Sequence, residues 1–226
     1  MITMETFKEL SNKHKCDKAA DGHHTYDLAY ERHFEPIRDK EIKLLEIGVG
    51  GYDNPTEGGC SLRLWKEYFA NPNTQIYSID IFEKSAIQED RIKIWQGSQS
   101  DVGFLNSVTN ETGELDIIVE DGSHVNSDII TSFKALFPKL KTGGIYVIED
   151  LQTAYWKHYG GSKDENNAVG FFKNFIHGLN YKEQATEDRN DAVEVKEPDY
   201  YDLNIVSIHF YHNIVFIQKG NNSVTA

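Results

Sequence analysis

The stretch Leu115-Asp116-Ile117-Ile118-Val119-Glu120-Asp121-Gly122-Ser123-His124 decides the fold. An apolar run that stops at two carboxylates, a glycine, a serine and a histidine reads as a strand buried on both faces, hence central in a parallel sheet. Ligands of open parallel sheets bind at the carboxyl ends of the strands. Glu120, Asp121 and His124 therefore sit where chemistry is done. A second run, Gly143-Gly144-Ile145-Tyr146-Val147-Ile148, ends the same way in Glu149-Asp150. Two such neighbouring strands deliver four acids and a histidine to one rim, and that concentration of one charge needs a cation.

Working outward, Lys43-Leu44-Leu45-Glu46-Ile47-Gly48-Val49-Gly50 reads as a first strand running into a glycine-rich turn. A long loop over 51–59 precedes a helix over 62–69, with Ser61 as its expected N-cap and Leu62, Trp65 and Phe69 on one stripe. Strands follow over 75–81, ending in Asp80, and over 91–96, which leads into Gly97-Ser98-Gln99-Ser100-Asp101. Helices are expected over 101–110, over 127–140 with Ile130, Phe133, Leu136 and Phe137 facing the sheet, and over 168–179. Residues 181–202 are acidic and irregular. Two apolar runs, 205–211 and 214–219, are separated by only His212-Asn213, which suits an antiparallel hairpin. The expected fold is α/β, a doubly wound and mostly parallel Rossmann-like sheet ending in an antiparallel hairpin. Residues 1–40 have too little apolar content for a domain and read as a lid or flap, with a helix over 25–37 whose last turn Pro36 disturbs. The main body is 41–220 and the tail 221–226.

Composition bounds the function. At 226 residues there is room for one full-sized core. A net charge of −13 argues against a duplex nucleic-acid partner, which wants a basic face. Two cysteines, Cys16 and Cys60, in unrelated contexts point to a reducing compartment and to neither a disulfide framework nor a zinc site. No apolar stretch reaches the length of a membrane span, and the N-terminus is too polar for a signal peptide, so the cytoplasm is the expected location.

The turn after Glu46 lacks the third glycine at a helix start that a pyrophosphate cradle needs. An acid at Glu46 with Gly48, Gly50 and Gly51 suits a cationic, zwitterionic ligand instead. S-adenosylmethionine fits, with Asp80 placed for a ribose diol. Ser98, Gln99 or Asp101 would then meet the adenine, although Ser100 or Asp101 as a helix cap is an equal alternative. Glu120 completes the cofactor-side polar set. Asp121, Glu149 and Asp150 form an oxygen donor set for Mg²⁺ or a similar divalent ion. His124, three residues after Asp121, titrates in the range of a general base. His23 and His24 default to surface roles, and Tyr155 and Trp156 more often pack than bind.

Taken together these motifs resemble a known family. Asp17-Lys18 with Tyr26 and Tyr30, Leu45-Glu46-Ile47-Gly48-Val49-Gly50-Gly51-Tyr52, Gly59-Cys60-Ser61-Leu62-Arg63-Leu64-Trp65 and Gln96-Gly97-Ser98-Gln99-Ser100-Asp101 carry the resemblance. So do Glu120-Asp121-Gly122-Ser123-His124, Glu149-Asp150-Leu151-Gln152-Thr153-Ala154-Tyr155-Trp156 and the final hairpin. The chain is similar, over about 17–220, to the metal-dependent class I methyltransferases of the mycinamicin VI and macrocin type, which act on sugar hydroxyls of macrolide antibiotics. The resemblance implies a seven-stranded methyltransferase sheet and Mg²⁺ on Asp121, Glu149 and Asp150. It implies His124 as general base, and S-adenosylmethionine held by the Glu46–Gly51 turn, Asp80 and the 98–101 loop. Two departures stand out. Glu120-Asp121 replaces the family's usual pair of aspartates, and no counterpart of the auxiliary N-terminal domain is expected here.

The acceptor is expected to be a small molecule or glycan, neither nucleic acid nor membrane, with antibiotic glycosides and capsular or cell-surface saccharides both fitting. A homo-oligomer is left open. The competing readings are a catechol-type O-methyltransferase, a protein that binds S-adenosylmethionine without turnover, and an NAD-dependent oxidoreductase on the same sheet.

Overall fold

The computed structural model describes residues 4–19, 21, 23–184 and 197–223. Its seven strands are β1 Lys43–Ile47, β2 Gln75–Asp80, β3 Ile92–Gln96, β4 Leu115–Glu120, β5 Leu140–Ile148, β6 Ile205–Tyr211 and β7 Ile214–Lys219. They form one sheet in the order β3-β2-β1-β4-β5-β7-β6. The first five run parallel to one another, and β7 pairs antiparallel with both β5 and β6. The strand order reverses between β1 and β4, the switch point at which open α/β sheets hold ligands. In register, Ile47 on β1 lies opposite Glu120 on β4, which lies opposite Ile148 on β5. The glycine turn, Asp121 and Glu149-Asp150 consequently emerge side by side.

The apolar runs become the central strands because both faces are covered. On one face Leu44, Ile117, Val119, Val147 and Phe216 pack with Phe7 and Leu10 of helix α1 (Phe7–His14), Tyr30 and Phe34 of α2 (Asp27–Phe34), and Leu62 and Trp65 of α3 (Cys60–Tyr68). On the other, Leu45, Ile118, Tyr146, Val215 and Ile217 pack with Leu105 of α4 (Val102–Thr112), Ile129 and Phe133 of α5 (Asn126–Leu136), and Phe172 of α6 (Ala168–Lys173). Phe7, Tyr30, Phe34 and Trp65 form an interlocked aromatic cluster, with Tyr30 at 4.7 Å from Phe7 and 5.0 Å from Trp65 between ring centroids. The segment expected as a lid thus contributes Phe7, Leu10, Tyr26, Tyr30 and Phe34 to the main core.

Several local expectations differ from what forms. Helix α1 is an element that the polar composition of the N-terminus conceals; Thr6 caps it in a capping box with Glu9. Helix α3 starts at Cys60 after Gly59 at φ 71°, and Ser61 caps nothing, its hydroxyl donating instead to Glu46. The helix expected over 127–140 ends at Leu136, because Pro138 forces a short 3-10 turn and Leu140 already opens β5. Ile129 rather than Ile130 is its fully buried isoleucine. The helix expected over 168–179 is broken at Asn174 into α6 and α7 (Phe175–Gly178). Pro36 does end α2, which passes into a 3-10 turn at Glu35–Ile37. Cys16 and Cys60, unrelated in sequence, come together at the same core, where the neighbouring Cys60 thiol and burial push the Cys16 thiol up, and both remain free. Of the acidic stretch 181–202, residues 185–196 lie outside the described residues, as do the last three of the 221–226 tail.

Candidate active site

At the end of β1, Gly48 has φ 98° and donates its N–H to the Ile79 carbonyl at 2.8 Å. A Cβ there would fall 2.2 Å from the Asp121 carbonyl oxygen, so only glycine lets the turn close on the end of β4. Gly50 and Gly51 continue the turn at φ 78° and 75°. Asp80 braces it, with Oδ2 accepting the Val49 N–H at 2.9 Å and Oδ1 accepting the Phe82 N–H at 2.8 Å. Each Asp80 oxygen keeps a further lone pair for a ligand hydroxyl.

Glu46 lies beneath this turn and is fully buried. Its Oε2 accepts from Ser61 Oγ at 2.7 Å and from Trp65 Nε1 at 3.2 Å. Its Oε1 lies 3.0 Å from Lys18 Nζ as an ion pair without the alignment of a hydrogen bond. Burial pushes its carboxyl above the ordinary range, against the pull of Lys18. Glu46 thus faces inward, its two oxygens turned to Ser61, Trp65 and Lys18.

Glu120 is also interior. Gln99 Nε2 donates to its Oε1 at 2.9 Å, and Ser132 Oγ donates to Oε2. Gln99 completes a clamp by accepting the Ser123 N–H at 2.7 Å. Burial raises the Glu120 carboxyl, opposed by these donors. Asp101 caps α4 through the Phe104 N–H at 3.0 Å, and Ser98 and Ser100 hydrogen-bond to each other at 2.8 Å. Of the 98–101 loop, Ser98 remains half-buried at the rim while Gln99 and Asp101 have protein partners.

Beyond the turn, Asp121, His124 and Asp150 each offer one ligand atom, all within 4.8 Å of one another. His124 Nε2 lies 3.7 Å from Asp150 Oδ2. Both His124 (φ 57°) and Asp150 (φ 53°) are non-glycine residues in the left-handed region, a conformation costly enough to cluster at functional sites. Two carboxylates and an imidazole, partly exposed and aimed together, suit a divalent ion with positions left open. Glu149 sits deeper. Its Oε1 accepts from Lys18 Nζ at 2.7 Å and from the Tyr30 hydroxyl, and it lies outside the closely grouped trio.

The site includes residues that lie far from these motifs. Lys18 is fully buried, and its Nζ is 2.8 Å from Asp121 Oδ2, 2.7 Å from Glu149 Oε1 and 3.0 Å from Glu46 Oε1. Burial alone would lower its pKa, but Asp121, Glu149 and Glu46 outweigh it and hold the ammonium well above the lysine range. With one cation among three acids, burial still pushes the Glu149 carboxyl up. Tyr26 donates to Asp150 Oδ1 at 2.9 Å, and His24 Nε2 lies 3.4 Å from the same oxygen. Burial and the neighbouring carboxylates raise both Tyr26 and Tyr30, so both phenols stay protonated donors. Lys18, Tyr26 and Tyr30 are marked in sequence only as part of the family resemblance; nothing local assigns them a place at the acid cluster. After Asp150, a 3-10 turn at Leu151–Tyr155 leaves Tyr155 and Trp156 half exposed. The Tyr159 ring stands edge-on, 6.2 Å from His124.

No protein-family model matches the chain. It is 43% identical over 203 residues to mycinamicin VI 2''-O-methyltransferase of Micromonospora griseorubida, covering 88% of this chain and 49% of that protein. It is 41% identical over 216 residues to 8-demethyl-8-alpha-L-rhamnosyl tetracenomycin-C 2'-O-methyltransferase of Streptomyces olivaceus, covering 95% of this chain and 54% of the other. The chain therefore spans about half the length of the curated relatives it matches. Among solved structures, MycE methyltransferase from the mycinamycin biosynthetic pathway, in complex with Mg and SAH, matches with a TM-score of 0.88 at 42% identity. That match covers 97% of this chain and 55% of MycE. The sheet with its terminal antiparallel hairpin is the α/β methyltransferase fold.

Proposed function

We propose that this chain, whose relatives are sugar and macrolide O-methyltransferases, is an S-adenosylmethionine-dependent and Mg²⁺-dependent O-methyltransferase acting on a hydroxyl of a sugar or glycan-type acceptor. The observation that carries this reading is the meeting of Asp121, His124 and Asp150 at the ends of β4 and β5, beside a glycine turn that only glycine can close. The catalytic unit is taken as 41–220, with residues 1–40 completing its site through Lys18, Tyr26 and Tyr30.

Asp121 and Asp150 would hold the divalent ion, with Glu149 the deeper third acid. Gly48, Gly50, Gly51, Asp80 and Ser98 would line the cofactor, with Glu46, Gln99, Asp101 and Glu120 supporting that wall from behind. When bound, the cofactor supplies the methyl group on a sulfonium that departs as a neutral thioether, and the ion makes an acceptor hydroxyl easier to deprotonate. His124 takes the hydroxyl proton on its ring nitrogen, with Asp150 Oδ2 lying 3.7 Å from Nε2. Tyr26 orients Asp150 from the far side, leaving Oδ2 toward His124. Tyr155 and Trp156, half exposed after β5, would offer aromatic faces to the apolar faces of a sugar, and Tyr159 stands edge-on to His124.

The test is release of S-adenosylhomocysteine from the purified chain with Mg²⁺, comparing deoxysugar glycosides, simple saccharides and catechols. Turnover with a glycoside that stops in excess chelator is expected. Turnover with catechols alone, or undiminished turnover in chelator, sinks the reading.

A further inference from the structure

We propose that Lys18 is the resident counter-cation of the acid cluster, a positioning residue that keeps these carboxylates assembled without a divalent ion and moderates the affinity for that ion. The inference rests on reading Asp121 and Asp150 as ligands of a divalent ion.

The geometry is specific. A lysine ammonium has three protons, and Lys18 Nζ has three carboxylate neighbours within 3.0 Å, one each from β1, the end of β4 and the end of β5. Lysines are almost never fully buried unless paired, and this one is fully buried among acids. A buried ion pair seldom stabilises more than an apolar replacement of the same shape, so its presence argues for positional specificity. Removing only one partner leaves uncompensated charge in the interior.

The exposures divide the cluster. Glu46 and Glu149 side chains are 0% and 3% exposed, whereas Asp121 is 26% exposed. Asp121 is therefore the carboxylate that Lys18 shares with the open site: Oδ2 is held by the ammonium, and part of the group faces outward. An ion on that outward side faces a fixed positive charge across one carboxylate, and the mutual repulsion weakens its binding. The same ammonium reaches Glu46, whose other oxygen is held by Ser61 and Trp65 of α3. Lys18 thereby joins the floor of the glycine turn to the metal-side strands.

The experiment compares wild-type chain with Lys18→Met and with Lys18→Met/Glu46→Gln. Mn²⁺ binding is followed by the resonance of the free ion, and thermal melts are recorded in chelator and in Mg²⁺. Lys18→Met is expected to melt roughly 5 °C or more below wild type in chelator. It should regain more in Mg²⁺ than wild type does, and bind Mn²⁺ on the order of tenfold more tightly. Adding Glu46→Gln should restore much of the melting temperature in chelator, which the repair of a packing defect would not do. If Lys18→Met is unfolded in chelator, recovery of its circular dichroism on adding Mg²⁺ supports the proposal. Failure to recover, in both the single and the double variant, overturns it. Equal or weaker Mn²⁺ affinity in a folded Lys18→Met overturns it alone, while absence of Mn²⁺ binding by wild type overturns the metal reading and the proposal with it.

Discussion

His124 Nε2 and Asp150 Oδ2 lie 3.7 Å apart, and both residues hold left-handed backbone conformations at the ends of neighbouring strands. This pair separates two roles for the imidazole. If His124 is a base, His124→Ala should lower kcat roughly 10²–10⁴-fold while Mn²⁺ affinity stays near that of wild type. A parallel loss of Mn²⁺ binding would make the imidazole a ligand instead.

Asp150→Asn isolates charge from shape, because asparagine tolerates the left-handed region and still accepts the Tyr26 proton. Outer-shell losses at metal sites typically cost 10–100-fold, so removing the charge of a direct ligand should weaken Mn²⁺ binding by at least about tenfold. An unchanged titration would remove Asp150 from the ligand set.

Gln99→Ala leaves Glu120 Oε1 and the Ser123 N–H without their clamp. An unmatched buried polar group costs about 1–3 kcal/mol. The melting temperature should fall, and cofactor affinity should fall with it if Gln99 supports the cofactor wall. A stable variant with normal cofactor binding would show that the clamp is dispensable.

His33 provides a pH signature remote from the site. Burial, reinforced by His209 and Arg32, pushes its pKa down to about 4. Its ring stacks on Phe216 at 4.3 Å, and Nε2 lies 3.0 Å from the Tyr211 hydroxyl. The unfolded chain takes up this proton near pH 6.5 and the folded one only near 4, so the stability contribution is present above about pH 6.5 and lost as pH falls toward 4. Denaturant melts of His33→Gln should therefore show a shallower acid loss across that window than wild type. Identical slopes would contradict the assignment, and taking the difference between the two proteins cancels the buried acids common to both.

The strands, the neighbouring of β4 and β5 and the meeting of Asp121 with Asp150 were legible because apolar runs ending in carboxylates are a local signal. The hairpin at His212-Asn213 was equally plain from its spacing. What escaped was whatever depends on long-range pairing. Nothing near Lys18 shows that it will be buried 103 residues away from Asp121 and 131 away from Glu149. Glu46, Gln99 and Glu120 look in sequence like ligand contacts because a strand-end polar residue has the same signature whether it meets a cofactor or another side chain. Helix α1 was hidden because Phe7 and Leu10 are its only apolar residues, too few to mark a period. Phe133, Leu136 and Phe137 are buried as their spacing predicts, and Ile129 rather than Ile130 completes the stripe.

The contact between Gly48 and the Asp121 carbonyl makes the two halves of the site mechanically one piece. A methyl group added at Gly48 has nowhere to go except into the backbone that carries Asp121. Gly48→Ala should accordingly behave as a double lesion, with methyl-donor and cation affinities declining together, and no residue at that position can tune one without disturbing the other.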